Sequence, residues 1–231
     1  MLPYSRLFIG AALSVMVAAC TASETAPPEK SEQDIASAAP ASATPVCADA
    51  AQTERIRKEV KDYPGDPLAI VARDLQLSEF TTASGIFPEM QVGALINAEQ
   101  FQTLWKSIDG WGADTMVRVI LSPSSEHAFI VQGKVPVIKP DAEEGYLDAY
   151  ADGTKGLQSH IQMNKIAAVY ATDIPTDDPA YRTRGINFMD HDGNSVVGVY
   201  ASVKKYDPDP KAVEGFERTR ALVEALPRAC Q

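Results

Sequence analysis

"NAEQFQTLWKSIDGWGADTMVRVILS", residues 97 to 122, carries the change of rhythm on which the fold turns. Its first half reads as a helix. Asn97 and Gln100 have the spacing of a capping box, in which two side chains satisfy backbone N–H groups of the first turn. Phe101, Leu104, Trp105 and Ile108 recur at three- and four-residue intervals, so they share one face and require burial. Gly110 ends the run. From Thr115 the pattern becomes alternation over "TMVRVILS", the period-2 mark of a strand with one face inward.

Upstream of this switch the chain is helical. "AQTERIRKEVKDY" (51–63) puts Ile56 and Val60 on one face. Asp66 is expected to cap a second helix with Pro67 in its first position, and with Leu68, Val71, Ala72 and Leu75 as its stripe. Ser78 opens a short third helix through Phe80 and Ala83. Downstream, "HAFIVQGKVPV" (127–137) returns as a strand across "PSSE", and "KIAAVYATDI" (165–174) is another. "GINFMD" and "SVVGVYASV" form a hairpin across "HDGN", with Gly193 supplying the turn geometry. A last helix follows Pro208 and Pro210, with Val213, Phe216, Val223 and Leu226 facing inward. Helices, then an antiparallel meander, then a helix predict an α+β fold: an antiparallel sheet flanked by N-terminal helices and a C-terminal helix.

The N-terminus predicts an exported lipoprotein. Arg6 precedes the apolar run "LFIGAALSVMVAA" (7–19), shorter than the ~20 residues that a membrane-spanning helix needs. Val17-Ala18-Ala19-Cys20 has the form of a lipobox, which makes 1–19 a removable signal peptide and Cys20 the lipidated residue. Thr21, where Asp would mark inner-membrane retention, directs the expectation to the outer membrane, with the protein facing the periplasm. Residues 20–46 are rich in Ala, Ser, Thr, Pro and Glu and hold no aromatic residue, the composition of a disordered tether. Residues 47–231 then form one domain. With Cys20 lipidated, Cys47 and Cys230 remain as an expected disulfide in an oxidising compartment. A net charge of −10 repels phosphate backbones and speaks against nucleic acid as a partner.

Catalytic signatures are missing: there is no GxSxG, HExxH, P-loop or CxxC. Of the histidines, His127 begins a strand and His191 sits in the "DHDG" turn, so both read as solvated. "EGYLDAYADGTKGLQSHI" (144–161) is more informative. It holds Tyr146 and, ahead of Ile161 in an expected strand, a partly enclosed His160. Phenolate and imidazole both serve as axial ligands of haem iron, and a strand-lined apolar cleft suits a large flat cofactor.

From Pro67 to Leu226 the chain resembles the HutX/ChuX haem-carrier proteins, relatives of one half of the HemS/ChuS haem proteins. "EQFQTLWKSIDGWG" is similar to the family's "FDxVWxxVxxWG", and "FIVQGKVP" to "xEFSGxLP". "EGYLDAYADGTKGLQSHI" resembles "HGYFNLxGxxGLxGHI", and "INFMDHDGNSVVGVYAS" resembles "ILFFxxxGxxxxKVFxGR". The resemblance implies non-covalent haem as the ligand, Tyr146 and His160 as candidate iron ligands, haem binding or transfer without turnover, and a homodimer paired through its sheets. The chain departs from the pattern at Glu144 and Asp148, where the family has His and Asn, and at Ser202 and Val203, where it has Gly-Arg. Glu143, Glu144 and Asp148 would repel haem propionates unless Lys139 or Lys155 offsets them. Two other readings therefore stay open: a structural or protein-interaction lipoprotein that keeps the fold without haem, and a haem-degrading enzyme like the larger relatives.

Overall fold

In the computed structural model, which describes residues 44–139, 143–153 and 155–230, three short helices come first. They are α1 (Ala50–Asp62), α2 (Leu68–Leu75) and α3 (Glu79–Gly85). The expected signal peptide, Cys20 and the tether up to residue 43 lie outside the described residues. Asp49 caps α1 through a capping box with Gln52. At α2 the expectation needs correcting. Pro67 itself is the N-cap, in an extended conformation, and no side chain caps the helix. Asp66 instead forms an ion pair with Lys204, and the Pro67 carbonyl accepts from Ile70 at 2.8 Å. Ser78 caps α3 as expected, accepting from Thr81.

Strand β1 (Gln91–Leu95) follows, then α4 (Ala98–Asp109), with the Asn97/Gln100 capping box formed. The periodicity reading misses β1. Val92, Gly93 and Ala94 are all buried, so it shows no polar alternation, and Gly93 weakens the strand signal further. Next come β2 (Met116–Ser124), β3 (His127–Lys134) and four two-residue strands: β4 (Val137–Ile138), β5 (Tyr146–Leu147), β6 (Ala149–Tyr150) and β7 (Ile161–Gln162). The chain closes with β8 (Ile166–Pro175), β9 (Arg182–Asp190), β10 (Ser195–Ser202) and α5 (Pro210–Glu224). "HAFIVQGKVPV" is therefore not one strand. Pro136 has no N–H to donate, so the ladder with β2 stops at Lys134 and the chain leaves the sheet.

The main sheet has six strands in the order β1-β8-β9-β10-β2-β3, and its paired neighbours are antiparallel. Both faces of its centre are covered. On one side Val119, Val169, Ile186, Phe188 and Val199 pack with Phe101, Trp105 and Ile108 of α4 and Phe216 and Val223 of α5. On the other, Ala168, Tyr170, Ile174 and Met189 pack with Ile56, Val60, Leu68, Val71 and Phe80. Val213 is only half-buried; Ala212, Gly215 and Thr219 complete the inward stripe of α5, small residues that let the helix approach Trp111 closely. Tyr170 lies flat over its cross-strand partner Gly93, where an added Cβ would come within 2.2 Å of the ring. Glycine is required there because the neighbouring tyrosine occupies the side-chain space. Among the described residues no helix is long and apolar enough to cross a membrane.

Cys47 and Cys230 form the expected disulfide, with a Cα–Cα distance of 6.0 Å over a sequence separation of 183. It joins the entry to α1 to the C-terminal segment. The Cys47→Ser/Cys230→Ser pair is expected to lose about 2–5 kcal/mol, because a long loop is released in the unfolded chain. Calorimetry with and without reductant checks this. The wild type in reductant should melt with the double variant, and an unchanged melting temperature would mean that packing alone holds the ends.

Candidate functional site

The "EGYLDAYADGTKGLQSHI" stretch folds back on itself. Asp152 and Gly153 adopt left-handed backbone (φ 50° and 66°) and turn the chain. On one side of the turn Leu147, Ala149 and Ala151 alternate inward and are at most 1 % exposed. The even-numbered residues Tyr146, Asp148 and Tyr150 point the other way. The register is fixed by several pairings. Leu147 pairs with Ile161, Tyr146 with Gln162, and Tyr150 with Gln158. Ala149 and Ser159 exchange backbone and hydroxyl hydrogen bonds of 3.0–3.1 Å. Asp148 therefore lies opposite His160.

The side chains follow from that register. His160 Nδ1 is 2.7 Å from Asp148 Oδ1. Carboxylate oxygen accepts, so Nδ1–H donates, and in the neutral ring this leaves the lone pair on Nε2. Tyr146 sits diagonally across the strands and stacks on His160, with ring centroids 4.0 Å apart and planes 8° from parallel. The structure thus brings the two predicted residues together. It also corrects the expected enclosure of His160: the residue precedes β7, and its side chain is 55 % exposed, against 16 % for Asp148. His127 is exposed at the start of β3, and His191 rests against the Asn164 carbonyl at 3.2 Å. Neither joins the site.

Helix α4 holds this hairpin in place. Trp105 Nε1–H donates to the Pro136 carbonyl at 3.1 Å, and the Asp109 carboxylate accepts from the Ile138 N–H at 3.2–3.3 Å. These contacts fix β4, which pairs with β6, and the Lys139 N–H adds a 2.8 Å bond to the Asp148 carbonyl. Beside Tyr146 a cavity of about 360 Å³ is lined by Gln102, Ile138, Lys139, Glu143, Glu144, Gly145, Tyr146, Leu147 and Met163. Lys139 stands over the Tyr150 ring at 5.3 Å, while Lys155 lies exposed near the tip of the hairpin. A larger concavity of about 560 Å³ lies between the β2–β3 and β9–β10 turns. Its walls are Leu121, Ser122, Pro123, Ser124, Ser125, Asp190, Asn194, Ser195 and Val196, with no imidazole, phenol or thiol, whereas the smaller cavity has the Tyr146 phenol.

Burial raises the Asp109 pKa from 3.8 to about 6, against the opposing pull of the Ile138 N–H and Lys106. The folded state therefore holds this proton more tightly than the unfolded chain. Stability from this group is fully present below pH 3.8 and is lost as pH rises through about 6. Asp109→Asn should remove that slope, since the amide oxygen can still accept from Ile138. For a half-exposed carboxyl the effect is about 1 kcal/mol. Melting curves from pH 4 to pH 7 should show the variant gaining on the wild type; parallel curves would contradict the assignment.

With the geometry in hand, comparison decides the family. The model of the family described as "Haem utilisation ChuX/HutX" matches residues 94–219, more than half of the chain. The chain belongs to the ChuX/HutX family. No curated protein matches the sequence. Among solved structures, a protein from Erwinia carotovora is 15 % identical with a TM-score of 0.56, covering 73 % of this chain and 98 % of its own. The haem-binding protein ChuX is 15 % identical with a TM-score of 0.53, covering 73 % and 99 %. The haem-degrading enzyme ChuS of Escherichia coli O157:H7 is 14 % identical with a TM-score of 0.53, covering 79 % of this chain but 50 % of its own. At such identities the likeness establishes the ChuX-type fold, and this chain spans one half of ChuS. Three site features escaped the sequence reading: the Asp148 partner of His160, the Trp105 bond to Pro136 and the Asp109 bond to Ile138. The first could not be counted from the Asp152-Gly153 turn, because the strands close at Ala151 and Leu157 around a longer loop, and that register is what sets Asp148 opposite His160.

Proposed function

We propose that this chain is a haem-binding carrier: a lipoprotein anchored at Cys20 to the outer membrane, holding haem non-covalently in the periplasm and handing it on. The observation that carries this reading is the Asp148–His160–Tyr146 cluster beside the cavity, in a ChuX/HutX family member. The residues fit haem as cargo. His160 offers one ring nitrogen, and the half-buried Ile138 and Met163 offer apolar surface to a porphyrin. The Tyr146 and His160 rings lie face to face, and one or the other would hold the iron. An exposed ligand and the acidic rim of Glu143 and Glu144 favour weak holding, which a carrier needs for release. Lys139 is the cation placed to meet a propionate.

The acidic rim also favours the second reading, a fold kept without cargo. Hemin titration of the soluble domain, residues 47–231, separates them: the carrier gives a saturable Soret shift at one equivalent, and the cargo-free module gives none. Adding reductant and oxygen to the loaded protein tests the enzyme alternative, since a carrier keeps its porphyrin absorbance. The homodimer is part of the proposal. Edge strand β3 leaves Phe129, Ile130 and Val131 58 %, 44 % and 43 % exposed, a row that a second copy would cover. Sedimentation of the wild type and Ile130→Lys checks it. Metabolic labelling with palmitate, lost in Cys20→Ser, checks the anchor.

A further inference from the structure

We infer that Asp148 is a positioning residue, which holds His160 in the Nδ1–H tautomer and so presents Nε2 to haem iron. This rests on the haem-carrier reading and adds to it a residue that is not itself a ligand. A neutral histidine has two tautomers, and only the nitrogen without hydrogen can bind a metal. Free in solution, the ring would present either. Here the hairpin register sets Asp148 directly opposite, 2.7 Å from Nδ1, with the carboxylate only 16 % exposed. The Asp148 backbone is itself tied to Lys139, and Tyr146 covers one face of the imidazole. The ring therefore has little freedom to rotate or change tautomer. A carboxylate on the far nitrogen also makes the ligating nitrogen more basic, which favours ferric over ferrous iron.

The inference opposes the simplest electrostatic expectation, and that makes it testable. As a mere negative charge near haem propionates, Asp148 would weaken binding, and its removal would tighten it. As a positioning residue, it strengthens binding. The experiment uses the full chain with hemin as probe and has two readouts. In the haem-free protein, ¹⁵N spectra of His160 should show the Nδ1–H tautomer, and Asp148→Ala should shift it toward Nε2–H. In hemin titrations, Asp148→Ala should weaken binding by about tenfold or more. Asp148→Asn, whose amide oxygen still accepts from Nδ1, should recover most of the affinity but raise the reduction potential of bound haem. Asp152→Asn removes a charge from the same hairpin without touching His160 and should leave affinity within about twofold of wild type, below what losing an outer-shell partner costs.

The result that overturns the inference alone is wild-type binding that His160→Ala abolishes but Asp148→Ala leaves equal or tighter, or a His160 tautomer unchanged in Asp148→Ala. If the wild type takes up no hemin, the carrier reading falls and the inference with it. If hemin binds and His160→Ala changes nothing, the ligand lies elsewhere and the inference is again overturned.

Discussion

Glu79→Ala is expected to destabilise the protein by about 3–5 kcal/mol, the range for removing one partner of a buried ion pair. Glu79 is 2 % exposed at the start of α3. Its Oε1 accepts from Arg73 Nη1 at 2.7 Å, and its Oε2 accepts from the Ser195 N–H at 3.1 Å. Arg73 also donates to the carbonyls of Ala69, Ser124 and His127 at 2.6–3.3 Å. One buried pair thus binds α2 and α3 to the β2–β3 turn and to the head of β10. Truncation takes the carboxylate away from a guanidinium that keeps only its neutral carbonyl partners, and leaves the buried Ser195 N–H without an acceptor. Glu79→Gln keeps the shape and one acceptor, so it should cost less than the alanine variant. Chemical denaturation of the three proteins measures it. A loss below about 1 kcal/mol for Glu79→Ala, the level of an exposed pair, would show that solvent reaches the pair.

Trp105→Ala is the second large effect, with an expected loss of about 3–5 kcal/mol from the lost burial and the cavity left behind. The indole is fully buried, stacked on Phe188 with centroids 5.6 Å apart and edge-on to Phe101 at 5.8 Å. Its consequence also reaches the site. The Trp105 hydrogen bond to Pro136 holds the segment from which β4 pairs with β6. Trp105→Phe retains most of the packing and loses that bond, at about 1 kcal/mol. In the folded protein, hydrogen exchange should then rise at Ile138 and Ala149 before it rises in the main sheet. Uniform protection across both would show that the segment is held by other contacts.

What was legible in the sequence follows a physical line. The capping boxes and amphipathic helices are local, and Asn97 with Gln100 could be read without knowing what they pack against. The disulfide was legible because, with Cys20 read as lipidated, only two other cysteines are left to pair. β1 was not, because a strand buried on both sides loses its alternation. Asp66 has the chemistry of a cap, but Lys204, distant in sequence, takes it. The break at Pro136 was legible in principle, since a proline cannot continue a ladder. Tyr146 and His160 stood out by residue type and again through the family resemblance; their stacking and the Asp148 bond depend on a register set by the longer loop between Ala151 and Leu157.

The most direct test of the account is the axial ligand of the hemin-loaded protein, read by resonance Raman and electron paramagnetic resonance in wild type and His160→Ala. The account predicts a histidine-ligated iron in the wild type and the loss of that signature, with much weaker binding, in the variant. A saturable hemin complex whose spectrum His160→Ala leaves unchanged would place the iron away from the Asp148–His160 pair and contradict it.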